Sequence, residues 1–409
     1  MRVGKIVVAE SRLLFILISI LLIVPAAYSL TNGNDGKKIN KPTRPRKIGD
    51  SINTLRRDPK TGRLIKASDG SDETSYVEKA DAKVAPAADD EITLDSKLFA
   101  FELMVQDPFN RRYVLDLKQD DFIIYDDDQA KPASYFIRSG VEKVPTDIVL
   151  ILDHSGSVTP YWEESKKAAM NFVRQLKSEY QSVALVLDDP TLLVDFTNDP
   201  APLEKELSKV KLIKHTYNFT ALFAVINEMF AGRDGRKIVI FQTDGDEALK
   251  LVPVKDWPAD VTTRFPYDAK PYNLQDIVDF AGNSGVTIYS IAVGNKLIDL
   301  PADTNMTQLT KDFEDEGHYA EHLTYFRECQ RAMKKVADVT GGSISYMAHA
   351  SDAESIYNAI KEDLRARYII GYYPNGGQTN RFHKITVKIK DHPDWVVTSR
   401  QGYFAEAKK

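Results

Sequence analysis

The sequence predicts an α/β protein: a doubly wound, mostly parallel sheet with a small antiparallel β-sandwich built from flanking N- and C-terminal strands. Three observations carry this. Residues 145–366 alternate apolar strand-like runs with segments of helical period, the pattern of parallel strands joined by crossover helices. Two of those runs, 148–152 and 238–243, read as buried strands that end in oxygen-bearing side chains. Residues 92–144 and 367–405 instead carry short strands separated by turn residues with no helix between them, which marks antiparallel units.

From the amino end, residues 1–29 read as a secretory signal. Arg2, Lys5 and Arg12 make a positive start, residues 13–24 an apolar run ended by Pro25, and Ala27-Tyr28-Ser29 offers the small residues that cleavage needs. The run is short for a spanning helix. The chain is therefore expected outside the cytoplasm, secreted or periplasmic, and not membrane-spanning after cleavage. Residues 30–91 are rich in Gly, Asp, Lys, Pro, Ser and Ala and lack apolar periodicity, the composition of a disordered linker. Its basic stretch, Lys37, Lys38, Lys41, Arg44, Arg46 and Lys47, reads as a solvated tether, with weak contact to anionic envelope surfaces through residues 37–47 as the functional alternative.

Strands are expected at 98–105, 122–125 and 134–137, and again at 367–373, 384–389 and 395–397. Two or three strands are marginal alone, so the two sets are expected to pair into one sandwich, with the α/β domain at 145–366 inserted between them. Within that domain, Pro160 stands near a helix start, and Ala168, Ala169, Phe172, Val173 and Leu176 form a helical stripe. Residues 183–187 and 192–196 make a hairpin around Asp188-Asp189-Pro190-Thr191. Leu222, Val225, Ile226 and Met229 line a helix opened by Thr220. Met333, Val336 and Ala337, then Ile356, Ala359, Ile360 and Leu364, stripe two later helices. Residues 249–273 make a long loop rich in proline and aromatics on the strand-end face, either a ligand surface or packing cover. Residues 295–316 read as a polar surface excursion.

The chemistry concentrates in Asp153-His154-Ser155-Gly156-Ser157 after the first buried run, Thr220 at a helix start, and Asp244 after the second run. In an open parallel sheet, ligands bind outside the carboxyl ends of strands where the strand order reverses. Oxygen ligands of low total charge at such a point suit a hard cation, Mg²⁺ before Ca²⁺, that keeps several waters. These residues resemble the metal-ion-dependent adhesion site of von Willebrand factor type A domains. The likeness extends to Gly235-Arg236-Lys237, to the run 285–294 and to Thr340-Gly341-Gly342. Its flanks resemble a secreted bacterial subgroup of the acidobacterial type, through Leu117-Lys118-Gln119-Asp120-Asp121-Phe122 and the run 367–374. The resemblance covers about residues 93–405. It implies hydroxyl ligands from Ser155, Ser157 and Thr220, with Asp153 and Asp244 binding directly or through water, and Mg²⁺ replaceable by Ca²⁺ or Mn²⁺.

The implied role is a binding one: an exported adhesion-type module, not an enzyme, whose cation is completed by an Asp or Glu of a protein partner. One alternative is an interaction module of an envelope complex with a purely structural metal. Another is a zinc hydrolase, because His318-Tyr319-Ala320-Glu321-His322 fits a zinc-protease pattern that would make His318 and His322 ligands and Glu321 the base; a solvated helix flank explains those residues better. A composition of 28% charged residues with net charge −5 gives no argument for nucleic acid. The single cysteine, Cys329, reads as a small apolar residue on a helix. Asn218-Phe219-Thr220 and Asn305-Met306-Thr307 are sequons in form, and the first is accidental if Thr220 is a ligand.

Overall fold

A computed structural model describes residues 45–57, 59, 62–65, 98–176, 179–214, 216–256, 270–300, 323–374 and 381–404. Residues 1–29, expected to be a secretory signal, most of the basic stretch, the middle of the 249–273 loop, most of the expected 295–316 excursion, the second sequon and His318, Glu321 and His322 lie outside the described residues.

Strands β1 (Arg46–Lys47), β2 (Arg56–Arg57) and β3 (Leu64–Ile65) come first. They are followed by β4 (Phe99–Gln106), β5 (Phe122–Asp126), β6 (Gln129–Lys131) and β7 (Tyr135–Arg138). The alternating region supplies β8 (Thr146–Leu152), α1 (Trp162–Arg174), β9 (Gln181–Leu187), β10 (Thr191–Thr197), α2 (Pro200–Leu207) and α3 (Asn218–Ala224). It continues through β11 (Arg236–Thr243), α4 (Leu274–Asn283), β12 (Val286–Val293), α5 (Leu323–Thr340), β13 (Ser343–Met347) and α6 (Ala353–Ala366). The last strands are β14 (Tyr368–Tyr372), β15 (Phe382–Ile389), β16 (Val396–Ser399) and β17 (Gly402–Phe404).

Seven strands stand in the order β1-β10-β9-β8-β11-β12-β13. The five from β9 to β13 across this sheet run parallel, and the β9–β10 hairpin and β1 complete one edge antiparallel. From β8 the chain goes to β9 on one side and later returns to β11 on the other. The order therefore reverses at the β8–β11 pair, and the crevice at their carboxyl ends is the place where such sheets take ligands. Side chains of β8 alternate between two cores. Val149 and Ile151 pack with α3, α4 and α5, whereas Ile148, Leu150 and Leu152 pack with α1, α2 and α6. Burial on both faces is why these strands read as unbroken apolar runs. Cys329 lies fully buried in α5, and burial pushes its thiol well above the usual range, so it is packing and not a reactive group. The stripe expected on α6 is off by one position: Ala359 faces outward, and Tyr357 enters the core.

Part of the expected linker is folded. Arg46–Lys47 pairs with β10 as the edge strand, and Ile48 and Ile52 enter the core beside α3. Glu228 holds this strap by accepting the backbone N–H groups of Gly49 and Ser51, at 2.9 and 3.1 Å. Two isoleucines in a polar stretch have no period, so composition alone reads the segment as tether.

The flanking strands form two four-stranded sheets, β16-β4-β14-β7 and β17-β15-β5-β6. Strand β14 lies between β4 and β7, and β15 pairs with β5, so each sheet mixes strands from before and after the α/β region. Their common core includes Leu103, Val105, Phe122, Ile124, Ile370 and Val387. The sandwich is fastened to the parallel sheet by buried charge. Arg236 Nε donates to Glu102 Oε1 at 2.7 Å, and the fully buried Arg367 donates to Asp363 Oδ1 at 2.9 Å, Tyr289 Oη at 2.7 Å and the Gly341 carbonyl at 2.7 Å. This corrects the expected strand start at 367: the guanidinium is committed to the end of α6, and pairing begins at Tyr368.

Two outcomes are expected. Deleting residues 367–409 should abolish hydrogen-exchange protection in β4, β5 and β7; unchanged protection there would mean that the halves fold separately. Arg367→Met should lower the unfolding free energy in urea by about 3–5 kcal/mol, because it leaves Asp363 as an uncompensated buried charge, while Glu102 keeps Arg236. A loss below about 1 kcal/mol would show that the network is not what fastens the sandwich.

Candidate metal centre

At the end of β8 the chain stays bound to β11, with the Asp153 amide donating to the Gln242 carbonyl at 3.0 Å. The Asp153 side chain is fully buried. Its Oδ1 accepts the Ser155 amide at 2.8 Å and its Oδ2 accepts the Thr243 hydroxyl at 2.6 Å, so one carboxylate stitches the two strand ends together. A tight helical turn over Gly156–Tyr161 then carries Ser157 back toward β11. Ser155 Oγ lies 3.0 Å from Ser157 Oγ, and Ser157 Oγ donates to Asp244 Oδ2 at 2.5 Å. Beyond Asp244 the chain turns at Gly245, where φ is +80° and an added Cβ would sit 3.2 Å from Cys329 Cβ. The positive φ favours glycine, and the tight approach adds to the preference. Four of the five expected residues, Asp153, Ser155, Ser157 and Asp244, are thereby brought together.

Thr220 occupies the first turn of α3 and is not its opening residue. Its amide donates to Glu247 Oε2 at 2.8 Å, its hydroxyl also engages Glu247, and that same hydroxyl lies 2.9 Å from Tyr272 Oη and accepts from Lys270 Nζ at 2.7 Å. Lys270 Nζ in turn meets Glu247 Oε1 at 2.6 Å. Helix α3 is tied to the centre through Asn218, whose amide donates to Thr243 Oγ1 at 2.8 Å. The described ends of the 249–273 loop serve as packing cover, with Leu249, Leu251 and Tyr272 in the core, and Lys270 reaches Thr220.

Asp188, Glu247 and His154 adjoin these residues, and the sequence reading gave none of the three a role. Asp188 is fully buried in the β9–β10 turn, where Oδ1 accepts the His154 amide at 3.0 Å and contacts His154 Nδ1. A signal existed: Asp188 follows the strand beside β8, and Glu247 closes the acidic run Asp244-Gly245-Asp246-Glu247. Burial, and then the like charges of Asp188 and Asp244, hold the Asp153 carboxyl well above the usual range; hydrogen bonds from Ser155 and Thr243 offset only part of this. Asp188 Oδ2 and Asn218 Oδ1 are buried without a hydrogen-bond partner. Crowded buried carboxylates and orphaned oxygens beside two hydroxyls fit a hard divalent cation, which supplies the missing positive charge. The cleft beside Asp244, lined by Val293, Gly294, Leu297, Phe326 and Gln330, encloses about 10 Å³, room for one water.

The raised Asp153 value sets a pH dependence. A carboxyl that holds its proton more tightly when folded contributes stability that is fully present below its unfolded value, about 3.9. That stability is lost as pH rises through the folded value. In EDTA, unfolding free energy should fall as pH climbs out of the acid range, and excess Mg²⁺ should flatten the slope by taking over the proton's neutralising role. Urea titrations across pH with and without Mg²⁺ check this; parallel profiles would argue against a cation at Asp153.

The family model for the von Willebrand factor type A domain matches residues 147–322. Among curated proteins no sequence match is found. Solved structures similar to the chain include proximal thread matrix protein 1 from the mussel byssus with a zinc-occupied metal-ion-dependent adhesion site, at 14% identity and TM-score 0.37, covering 58% of this chain and 49% of that one. The von Willebrand factor domain of the type V pili tip protein from Porphyromonas gingivalis matches at 16% identity and TM-score 0.32, over 58% of this chain and 98% of that domain. The manganese-loaded TRAP protein of Plasmodium vivax matches at 13% identity and TM-score 0.32, over 70% of this chain and all (100%) of that one. The chain thus spans about half the length of the mussel protein. The family match and the reversal of strand order at β8 and β11 fall together: the α/β region carries a segment, residues 147–322, that matches the von Willebrand factor type A domain.

Proposed function

We propose that this chain is an exported, non-enzymatic binding module that holds one divalent cation at Asp153, Ser155, Ser157, Thr220 and Asp244 and completes its coordination with an Asp or Glu of a protein partner. The observation that carries this reading is the convergence of buried carboxylates and serine hydroxyls at the reversal of strand order. Mg²⁺ is the preferred occupant, with Mn²⁺ or Ca²⁺ as substitutes, because all the donors are oxygens. Thr220 would join through the hydroxyl that Glu247 and Lys270 hold. Hydroxyl ligands add no charge, so the bound cation stays electrophilic and a partner carboxylate gains a strong interaction at an open position.

Export rests on the signal-like residues 1–29 and places the module in the envelope or beyond it. Among the described residues no helix is long and apolar enough to cross a membrane. In the alternative reading, the metal stabilises the strand ends without touching a partner.

Asp244→Ala and Ser155→Ala each remove an oxygen arm and little apolar surface, so both should fold while Mn²⁺ affinity by calorimetry drops about tenfold or more. Affinity capture from the source cell's envelope fraction then separates the readings. Wild type in Mg²⁺ should retain a set of proteins that wild type in EDTA and Asp244→Ala in Mg²⁺ both lose. Equal retention in all three would leave only a structural metal.

A further inference from the structure

A second cluster lies in the sandwich, on strands that take no part in the β8–β11 centre. Strand β5 ends at Asp126, and the turn to β6 runs through Asp127 and Asp128, with φ of 47° and 68°. Facing this turn on β15 is His383, and Asp127 is locked to that strand because its Oδ1 accepts the Lys384 amide at 3.0 Å. Asp126 and His383 are 7% and 6% exposed. His383 Nδ1 lies 2.9 Å from Asp127 Oδ2 and 3.4 Å from Asp126 Oδ1, and one donor atom from each residue falls within 4.8 Å of the others.

Tyr403 orients the pair, donating to Asp126 Oδ2 at 3.1 Å and stacking on the His383 ring with centroids 5.0 Å apart. That leaves Asp126 Oδ1, a buried oxygen aimed into the cluster that receives no hydrogen bond. A buried acceptor left unmet is costly, and a cation would meet it. Metal–ligand bonds of about 2.0–2.1 Å at tetrahedral angles put neighbouring donors about 3.3 Å apart, close to the spacing found. One imidazole with two carboxylates suits a first-row transition ion better than Mg²⁺.

We propose that Asp126, Asp127 and His383 form a second cation site, of the Zn²⁺ class, that clips the β5–β6 turn to β15 and so joins the two ends of the sandwich. Arg381 Nη2, 2.6 Å from Asp127 Oδ2, competes with the ion for that carboxylate.

The test uses the full chain carrying Ser155→Ala and Asp244→Ala, which removes the strand-end centre, with Co²⁺ as the probe. About one equivalent should give visible absorption of a low-coordinate nitrogen–oxygen site, displaced by Zn²⁺ and indifferent to excess Mg²⁺. Adding Asp127→Asn or His383→Gln should weaken Co²⁺ binding about tenfold or more, and Arg381→Gln should tighten it. Asparagine tolerates the positive φ at 127, so an unchanged melting temperature in EDTA for Asp127→Asn certifies its fold. Absence of the band, or a band unmoved by Asp127→Asn in a folded protein, would reduce the cluster to a histidine–carboxylate ion pair and overturn the proposal.

Discussion

Repulsion among carboxylates buried at the carboxyl ends of β8, β9 and β11 is the constraint around which the rest is arranged. Like charges in a low-dielectric interior interact far more strongly than in water, and Asp153 sits between Asp188 and Asp244. Each is met by a dedicated donor: the Ser155 amide and Thr243 hydroxyl for Asp153, His154 for Asp188, and Ser157 for Asp244. The donors explain otherwise arbitrary local choices. Serines stand in the first turn after β8 because a short hydroxyl reaches back to the strand ends, and Thr243 ends β11 because its hydroxyl serves Asp153 while accepting from Asn218. Lys270 answers a further acid, Glu247.

The second electrostatic commitment has the opposite sign of outcome. Glu102 is buried against the sandwich joint, and although burial disfavours its charge, Arg236 and then Arg367 hold its carboxyl below the usual range. Arg236 on β11 thereby grips β4, and Arg367 grips both α6 and the Tyr289 hydroxyl on β12. Such a network adds less net stability than an apolar joint would, because desolvation offsets most of the attraction. It does fix geometry, since a guanidinium in a fork of acceptors has one orientation.

Much of this was readable from the chain. Both parallel-sheet cores follow from uninterrupted apolar runs, and the sandwich from turn-separated strands at both ends of the α/β region. The four expected residues that the structure brings together, Asp153, Ser155, Ser157 and Asp244, could be picked out because strand ends and short oxygen side chains coincide in sequence. Other features were not. Ile48 and Ile52 lie in a polar stretch, and two apolar residues cannot declare a period. Asp188 looked like turn chemistry, because nothing local says that β9 will lie beside β8. Thr220 stood out by its hydroxyl near a helix start, but the partners of that hydroxyl, Lys270 and Tyr272, arrive from the far end of a long loop.

The strand order of the sandwich has a consequence for how the chain acquires its structure. Strand β4 is flanked by β14 and β16, and β5 finds β15, so every pairing that joins the N-terminal strands to the C-terminal ones spans the whole α/β region, and only β5–β6 and β15–β17 are local. Loop closure over such distances is entropically costly before contacts form, and non-local pairing is slow. The parallel sheet, with its nearer partners, is set to organise first and bring the ends within reach, which makes the sandwich the last layer to form. Until then, Leu103, Val105 and Ile124 stand uncovered on unpaired strands, and the interval between synthesis of β4 and of β14 is when this chain is most exposed to edge-to-edge association.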